Sequence, residues 1–314
     1  MSESVPRPPL QYRMCGLKVA SEVVLPMRTP LDPHTDRSPD VIMALGEVPQ
    51  RIENARHQAA LWSADETRFL LTLPGIGGFM AEEGRRLTLQ PAPGVAVDDI
   101  LVFATGTALA AILYQRGALL LHASVVVHEG RAFAFCGSSG AGKSTLAGAL
   151  CRAGCRLLAD DLCSVEQAEG GAPTVQPDGR VLRLYPDSIE QVGLQRAVGS
   201  KVRQQVEKFH VTAPASDADG DAGVPLAAVY VLADANSAYP AGITRLSPLD
   251  AVHVLLRQSY RRRLALAYAR QGRPPARMAA LLSHAPVYRL HRPRDFAKLD
   301  DTVARLTAHW DAST

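Results

Sequence analysis

No apolar run in this chain is both long and unbroken. The opening residues, MSESVPRPPLQYR, hold no apolar core of the kind a secretory leader needs. The most apolar later stretch, Ile100 to Leu121, is interrupted by Gln115, Arg116 and Gly117. A soluble, cytoplasmic protein with no membrane partner is therefore expected. Charge of one sign is scarce as well: a formal excess of +3 over 314 residues makes no field that would gather nucleic acid or an anionic membrane surface. Cysteine is too sparse and too odd in number, at five, for a disulfide framework. Cys151, Cys155 and Cys163 lie close together but fit no zinc spacing, so buried reduced thiols are expected.

What the chain does have is enough apolar material, 47% of its residues, for one large core or two modest ones. Up to about Pro93 short apolar runs alternate with Pro and Gly, as in LKVASEVVLP, DVIMALGEVP and RRLTLQPAPG. That rhythm predicts a small β-rich N-terminal domain over residues 1–95. From Val97 the period becomes helical, with Asp98 and Asp99 in the first turn and Gly117 at the close, which predicts a connecting helix. ALLLHASVVV and AFAFC then read as two strands about the turn HEGR, STLAGALCRAG as a helix, and CRLLAD as a strand of a covered sheet. Further strands are expected at VLRLYP, LAAVYVLAD and APVYRLHR. TAPASDADGDAG should be a mobile loop, and the remainder from Ser247 to Trp310 helical. The second unit, residues 96–314, is thus an α/β domain.

Gly137, Ser138, Ser139, Gly140, Ala141, Gly142, Lys143 and Ser144 satisfy G-x-x-x-x-G-K-[ST] between an apolar strand and a helix, with Thr145 following. Glycines let backbone N–H groups turn inward on phosphate oxygens, and the helix N-terminus adds partial positive charge. Lys143 would reach the β and γ phosphates of ATP, and the Ser144 hydroxyl would ligate Mg²⁺. Asp160 and Asp161 close the next strand, CRLLAD, which should neighbour the loop strand and present both acids at its carboxyl end. One acid can face the metal and the other an acceptor hydroxyl, as phosphoryl transfer requires. His122 ends LLL on the strand before the loop strand. By itself such a histidine is more often packed than catalytic. Arg180, Arg183 and Lys208 are candidate phosphate or acceptor contacts, equally readable as solvated charge. A denser group, Arg257, Arg261, Arg262, Arg263, Arg270, Arg273 and Arg277, reads as a solvated face or a subunit contact.

From Leu120 to Glu166, LLHASVVVHEGRAFAFCGSSGAGKSTLAGALCRAGCRLLADDLCSVE, the chain resembles the catalytic domain of HPr kinase/phosphorylase, a bacterial enzyme that phosphorylates a serine of a small protein. The resemblance implies an HPr-kinase-like P-loop domain with a central, mostly β sheet. It also implies roles: His122 is the family's histidine before the loop, Lys143 and Ser144 its phosphate and metal positions, Asp161 the general base, and Asp160 a metal or network partner. Outside that core, YRMCGLKVASEVVLP, DVIMALGEVP, DGRVLRLYPDSI and PLAAVYVL look like the HPr-kinase-like serine kinases of lasso-peptide biosynthesis, which modify the C-terminal end of a precursor peptide. The glycine-bearing glutamate motif of the HPr enzymes has no counterpart here, so the resemblance does not extend to a second metal ligand or to the reverse phosphorylase reaction.

The leading expectation is a Mg·ATP-dependent kinase acting on a serine of a peptide or small protein. A P-loop ATPase and a small-molecule kinase stand as alternatives, the ATPase weakened because no LSGGQ-like signature or later strand ending in Asp-Glu follows. A nucleotide-binding sensor without turnover is a third. The family forms rings and other oligomers, so a homo-oligomer is among the partners the resemblance allows.

Overall fold

A computed structural model describes residues 9–27, 38–166, 171–214, 222–269 and 273–312. The chain is mixed α/β with three sheets. The first has eight strands, in the spatial order Leu10–Met14, Leu17–Ser21, Val41–Leu45, Arg86–Pro91, Gly77–Glu82, Arg68–Leu73, Trp62–Ala64 and His57–Gln58. Its alternating inward residues, among them Val19, Met43, Phe69, Phe79, Leu87 and Leu89, bury against one long helical segment, Val97–Gln115. That segment is long and apolar enough to cross a membrane by length and composition, yet 67% of its most apolar window is buried, as in a core helix. The expected connecting helix is therefore also the lid of the first sheet's core.

The helix carries a π-helical stretch at Ala104–Ala108. Such a stretch widens the turn and frees backbone groups for other partners. The Thr105 carbonyl is one of these, accepting from Nη2 of Arg180.

The second sheet holds nine strands and carries the loop. Across it run the aspartate strand Arg156–Asp160, the histidine strand Ala123–His128, the loop strand Arg131–Cys136 and Val224–Asp234, with Val287–Arg292 beyond. Both faces are covered, which is why these strands read as nearly continuous apolar runs. Val126, Phe133, Phe135, Leu157 and Tyr230 pack under the loop helix Lys143–Arg152 and the C-terminal helix Leu299–Asp311. Their neighbours in register, Val125, Ala132, Ala134, Leu158 and Val229, pack with Pro248–Arg257 and Arg273–Leu282 on the other side. All five cysteines are buried and none is in a disulfide.

Three sequence expectations change. ALLLHASVVV is two strands, Leu119–Leu121 and Ala123–His128, because the backbone at His122 leaves the sheet: its N–H donates to the Gln258 carbonyl, and Tyr260 N–H donates to Leu120. The aspartate strand does not neighbour the loop strand, since the histidine strand lies between and pairs antiparallel with both. An unforeseen hairpin, Val198–Arg203 with Val206–Val211, joins Leu182–Leu184 in a third sheet. Most of the expected mobile loop, residues 215–221, lies outside the described residues, as does Arg270.

Candidate active site

The intervening histidine strand is what gathers the site. Running antiparallel to both neighbours, it starts where they end: Ala123 faces Cys136 on one side and Ser124 faces Asp160 on the other. His122, the loop after Cys136 and both aspartates thus meet at one sheet edge, and the chain places its chemistry at the carboxyl ends of strands. They line a cavity of about 600 Å³ together with Ser139 to Thr145, Arg183, Lys208, Arg292 and Arg294.

Gly140 and Gly142 hold the left-handed conformation, with φ of 77° and 80°. At Gly142 a Cβ would stand 2.5 Å from Nη2 of Arg292, so only glycine lets that guanidinium lie across the loop. Arg292 Nη2 donates to the Ala141 carbonyl at 2.6 Å, and Arg294 to the Gly140 carbonyl at 3.0 Å. Two of the loop's carbonyls, those of Gly140 and Ala141, are thereby held on arginines. The first N–H groups of the loop helix, at Lys143, Ser144 and Thr145, have no partner within the helix by its geometry. Lys143 Nζ donates to the carbonyls of Gly137 and Ser138 at 3.0 and 3.1 Å. Burial lowers the pKa of this amine, opposed by the charge of Asp161.

Asp160 is buried and almost saturated with donors. Ser124 Oγ donates to its Oδ1 at 2.6 Å and Ser144 Oγ to the same atom at 2.8 Å, while the Arg183 backbone N–H reaches Oδ2 at 3.1 Å. Its own N–H donates to Asp178 Oδ2 at 2.8 Å. Burial pushes Asp178 up to about 6 against the pull of Arg180.

Asp161 is the differently dressed member of the pair. Its φ of 86° is one that few side chains adopt, and its N–H is tied to the Ala123 carbonyl at 3.0 Å. The turn aims its carboxylate at His122 Nδ1 (3.1 Å), Arg183 Nη2 (2.6 Å) and the Tyr260 hydroxyl (3.2 Å). Burial alone would raise this carboxyl, but Arg183, His122 and Arg180 outweigh it and hold it well below the ordinary carboxylate range. The same pair raises Arg183, where Asp161 and Asp160 overcome the cost of burial. Nδ1 of His122 faces two Asp161 oxygens, the carboxylate at 3.1 Å and the carbonyl at 3.2 Å, so this nitrogen bears a proton directed at Asp161.

The donor set at this edge could hold a phosphate chain and a small divalent cation. Ser144 Oγ and Asp160 Oδ1 are hard oxygen donors, already adjacent, at the N-terminus of a helix, and the loop's inward face offers backbone N–H groups. Mg²⁺ and a nucleoside triphosphate suit that set.

Of the sequence candidates, His122, Ser139 to Thr145, Asp160, Asp161, Arg183 and Lys208 share the cavity, whereas Arg180 stands behind it. Burial and the charge of Arg183 lower Lys208, whose Nζ lies 5.4 Å from the Tyr185 ring centre. Arg257, Arg261, Arg262 and Arg263 are exposed and away from the cavity. Sequence reasoning missed Ser124, Asp178, Tyr260, Arg292 and Arg294. The two arginines sit at and just beyond the carboxyl end of Val287–Arg292, the edge at which such sheets bind ligands, and that rule could have found them. Tyr260 gave no local signal.

His210, beside the arginines, yields a pH test. Burial and the charges of Arg183 and Arg180 push it down to about 4. Below pH 6.5 the unfolded chain therefore binds a proton that the folded chain refuses until about pH 4, and stability falls across that window as pH drops. Asp178 works the other way between about pH 4 and 6, since the folded chain protonates it first. The difference between wild type and His210→Gln isolates the histidine. Wild type is expected to lose roughly 1–2 kcal/mol more than the variant between pH 7 and pH 4.5, solvent screening at this partly exposed ring having reduced the full effect, read from urea unfolding. Equal losses would show that His210 titrates normally.

No known protein family matches the chain, and no curated protein does. Among solved structures it is similar to the Hpr(Ser) kinase/phosphatase from Coxiella burnetii, at 11% sequence identity and a TM-score of 0.31, over 62% of this chain and 99% of that one.

Proposed function

We propose that this chain is a cytoplasmic, Mg·ATP-dependent kinase of the HPr-kinase-like type that phosphorylates a serine of a peptide or small protein. The observation that carries the reading is the juxtaposition at one sheet edge of a phosphate loop, a half-buried Ser144 bonded to the buried Asp160, and a second, cavity-lining carboxylate at Asp161. A site built only to bind nucleotide has no need of that second acid. Bound Mg·ATP supplies the transferable phosphoryl group and a divalent charge to offset its oxygens. The loop amides and Lys143 hold the phosphates, and Ser144 with Asp160 holds the metal. Arg183 and Lys208 face the cavity where charge develops during transfer.

Asp161 stays ionised at every working pH, so it accepts a hydrogen bond from the incoming hydroxyl and orients it. As the serine oxygen bonds to phosphorus and the bridging bond to the leaving diphosphate breaks, the hydroxyl proton passes to the Asp161 carboxylate. His122 and Tyr260 fix its position on either side. The two units, residues 1–95 and 96–314, are proposed as acceptor-docking and catalytic parts. The acceptor we favour, from the sequence resemblance, is the C-terminal end of a lasso-peptide precursor.

The test is transfer itself. Purified protein with γ-labelled ATP and Mg²⁺ is expected to label seryl peptides encoded beside its gene, at a phosphoserine located by mass spectrometry. Release of phosphate to water alone, with no labelled peptide, would refute the reading in favour of an ATPase.

A further inference from the structure

A second cavity, about 630 Å³ in volume, lies on the other side of Arg183 from the phosphate loop. Three parts of the chain wall it. Val24, Leu25, Pro26 and Met27 come from the segment after the second strand, Asp98, Asp99, Leu101, Val102 and Thr105 from the long helix, and Ser200 to Gln204 with His210 from the third sheet. Arg180 and Arg183 form its boundary with the active site, and Arg183 lines both spaces.

The chemistry of this cavity is lopsided. Arg180 is 5% exposed, and its Nε and Nη1 make no hydrogen bond, standing 3.9 and 3.8 Å from Asp178 and Asp161. Nε of Arg183, Nε of Arg203 and Nδ1 of His210 also lack hydrogen-bond partners. Buried donors of this kind are normally satisfied, and a cluster of them is a deficit of acceptors. The lining acids do not correct it: Asp98 is exposed, and Asp99 Oδ1 already accepts from the Gln204 N–H. Burial first, and then the charges of Arg183 and Arg180, depress His210 beside them.

Two further features fix the shape of the missing partner. Val198–Arg203, whose Ser200 to Arg203 line the cavity, is the outer strand of its sheet, pairing only with Val206–Val211 among the described residues, so its other edge has no strand beside it. An extended peptide satisfies such an edge, whereas a nucleotide or a lone anion does not. The apolar strip of Leu25, Pro26, Leu101 and Val102 would cover its side chains.

We infer that this cavity is the acceptor subsite: it takes an extended peptide segment along Val198–Arg203, with a carboxylate of that peptide set among Arg203, His210 and the two boundary arginines. The inference rests on the kinase reading, because what joins this cavity to the site is Arg183, which lines both spaces and pairs with Asp161. Arg180 and Arg183 then have two tasks, tethering the base and sensing the acceptor's charge.

The test uses the full chain and synthetic peptides carrying one serine and one carboxylate, the latter either the free C-terminus or a Glu one to four residues from the serine, with the amidated or Gln form as partner. The carboxylate peptides are expected to bind roughly tenfold or more tightly than their neutral partners, and Arg203→Gln to remove that preference. The loss should fall in peptide KM and not in the KM for ATP, with Arg203→Lys recovering part of it. Peptide binding should also shift the His210 ring resonances. The C-terminal and side-chain series separate the two sources of the carboxylate. Transfer to peptides whose KM is indifferent to both the carboxylate and Arg203 would overturn the subsite and leave the kinase standing. Carboxylate-dependent binding without transfer would overturn the kinase and with it the acceptor role, leaving the cavity as a peptide-binding site. A His210 shift produced by inorganic phosphate but by no peptide would identify an anion site unrelated to an acceptor.

Discussion

Asp161→Asn is expected to lower phosphoryl transfer about a thousandfold while leaving the Kd for Mg·ATP close to that of wild type. The substitution keeps the shape of the side chain and tolerates the left-handed φ of 86°, because Asn is among the few residues that visit that region readily. What it removes is the charge. On the proposed mechanism the acceptor hydroxyl loses its proton acceptor, and Arg183, no longer ion-paired at 2.6 Å, faces the cavity with only Asp160 to oppose its charge. Nucleotide affinity should therefore hold or rise. A parallel fall in ATP binding and transfer would mean that Asp161 is a structural anchor for Arg183 and His122, with no part in the chemistry. Asp161→Ala is the poorer experiment, since it adds backbone strain to the loss of charge.

Asp160→Ala should act by the opposite route, through the fold. The carboxylate accepts from Ser124, Ser144 and the Arg183 N–H in a buried setting, and its removal strands donors that water reaches poorly. At about 1 kcal/mol or more for each donor stranded, a loss of roughly 3 kcal/mol is expected in urea unfolding, together with loss of the Mg²⁺ dependence of ATP binding. Ser144→Ala separates the two effects. It removes a proposed metal ligand at the cavity wall and should abolish the metal dependence at little cost in stability. If Asp160→Ala were as stable as wild type, the network around it would be of no structural consequence and its role would be confined to the metal.

The contrast between these neighbours shows where sequence reading stops. Both acids were legible as a pair behind a phosphate loop, and the loop itself was legible because its glycines and its flanking strand and helix are local features. Their division of labour was not, because it depends on partners far along the chain. Tyr260 lies 99 residues from Asp161, and Asp178 and Arg180 reach the pair from beyond two further strands. His122 was read as the end of a strand. It occupies a break in one, opened by the backbone of residues 258–260, and only that break lets its ring meet Asp161.

The amino-acid sequence by itself determined the glycine loop between its strand and helix, the aspartate pair at a strand end, the β-rich opening and the buried cysteines, since each follows from glycine conformation, apolar period or composition within a short window. Only the tertiary structure decided that the histidine strand lies between the loop strand and the aspartate strand. With it came the meeting of His122, Lys143 and Asp161 at one edge, and the opening of a second, acceptor-poor cavity behind Arg183. The physical reason is that strand order is set by which apolar faces can be buried together on both sides of the sheet. That choice is made by contacts between residues distant in sequence, and no window along the chain contains it.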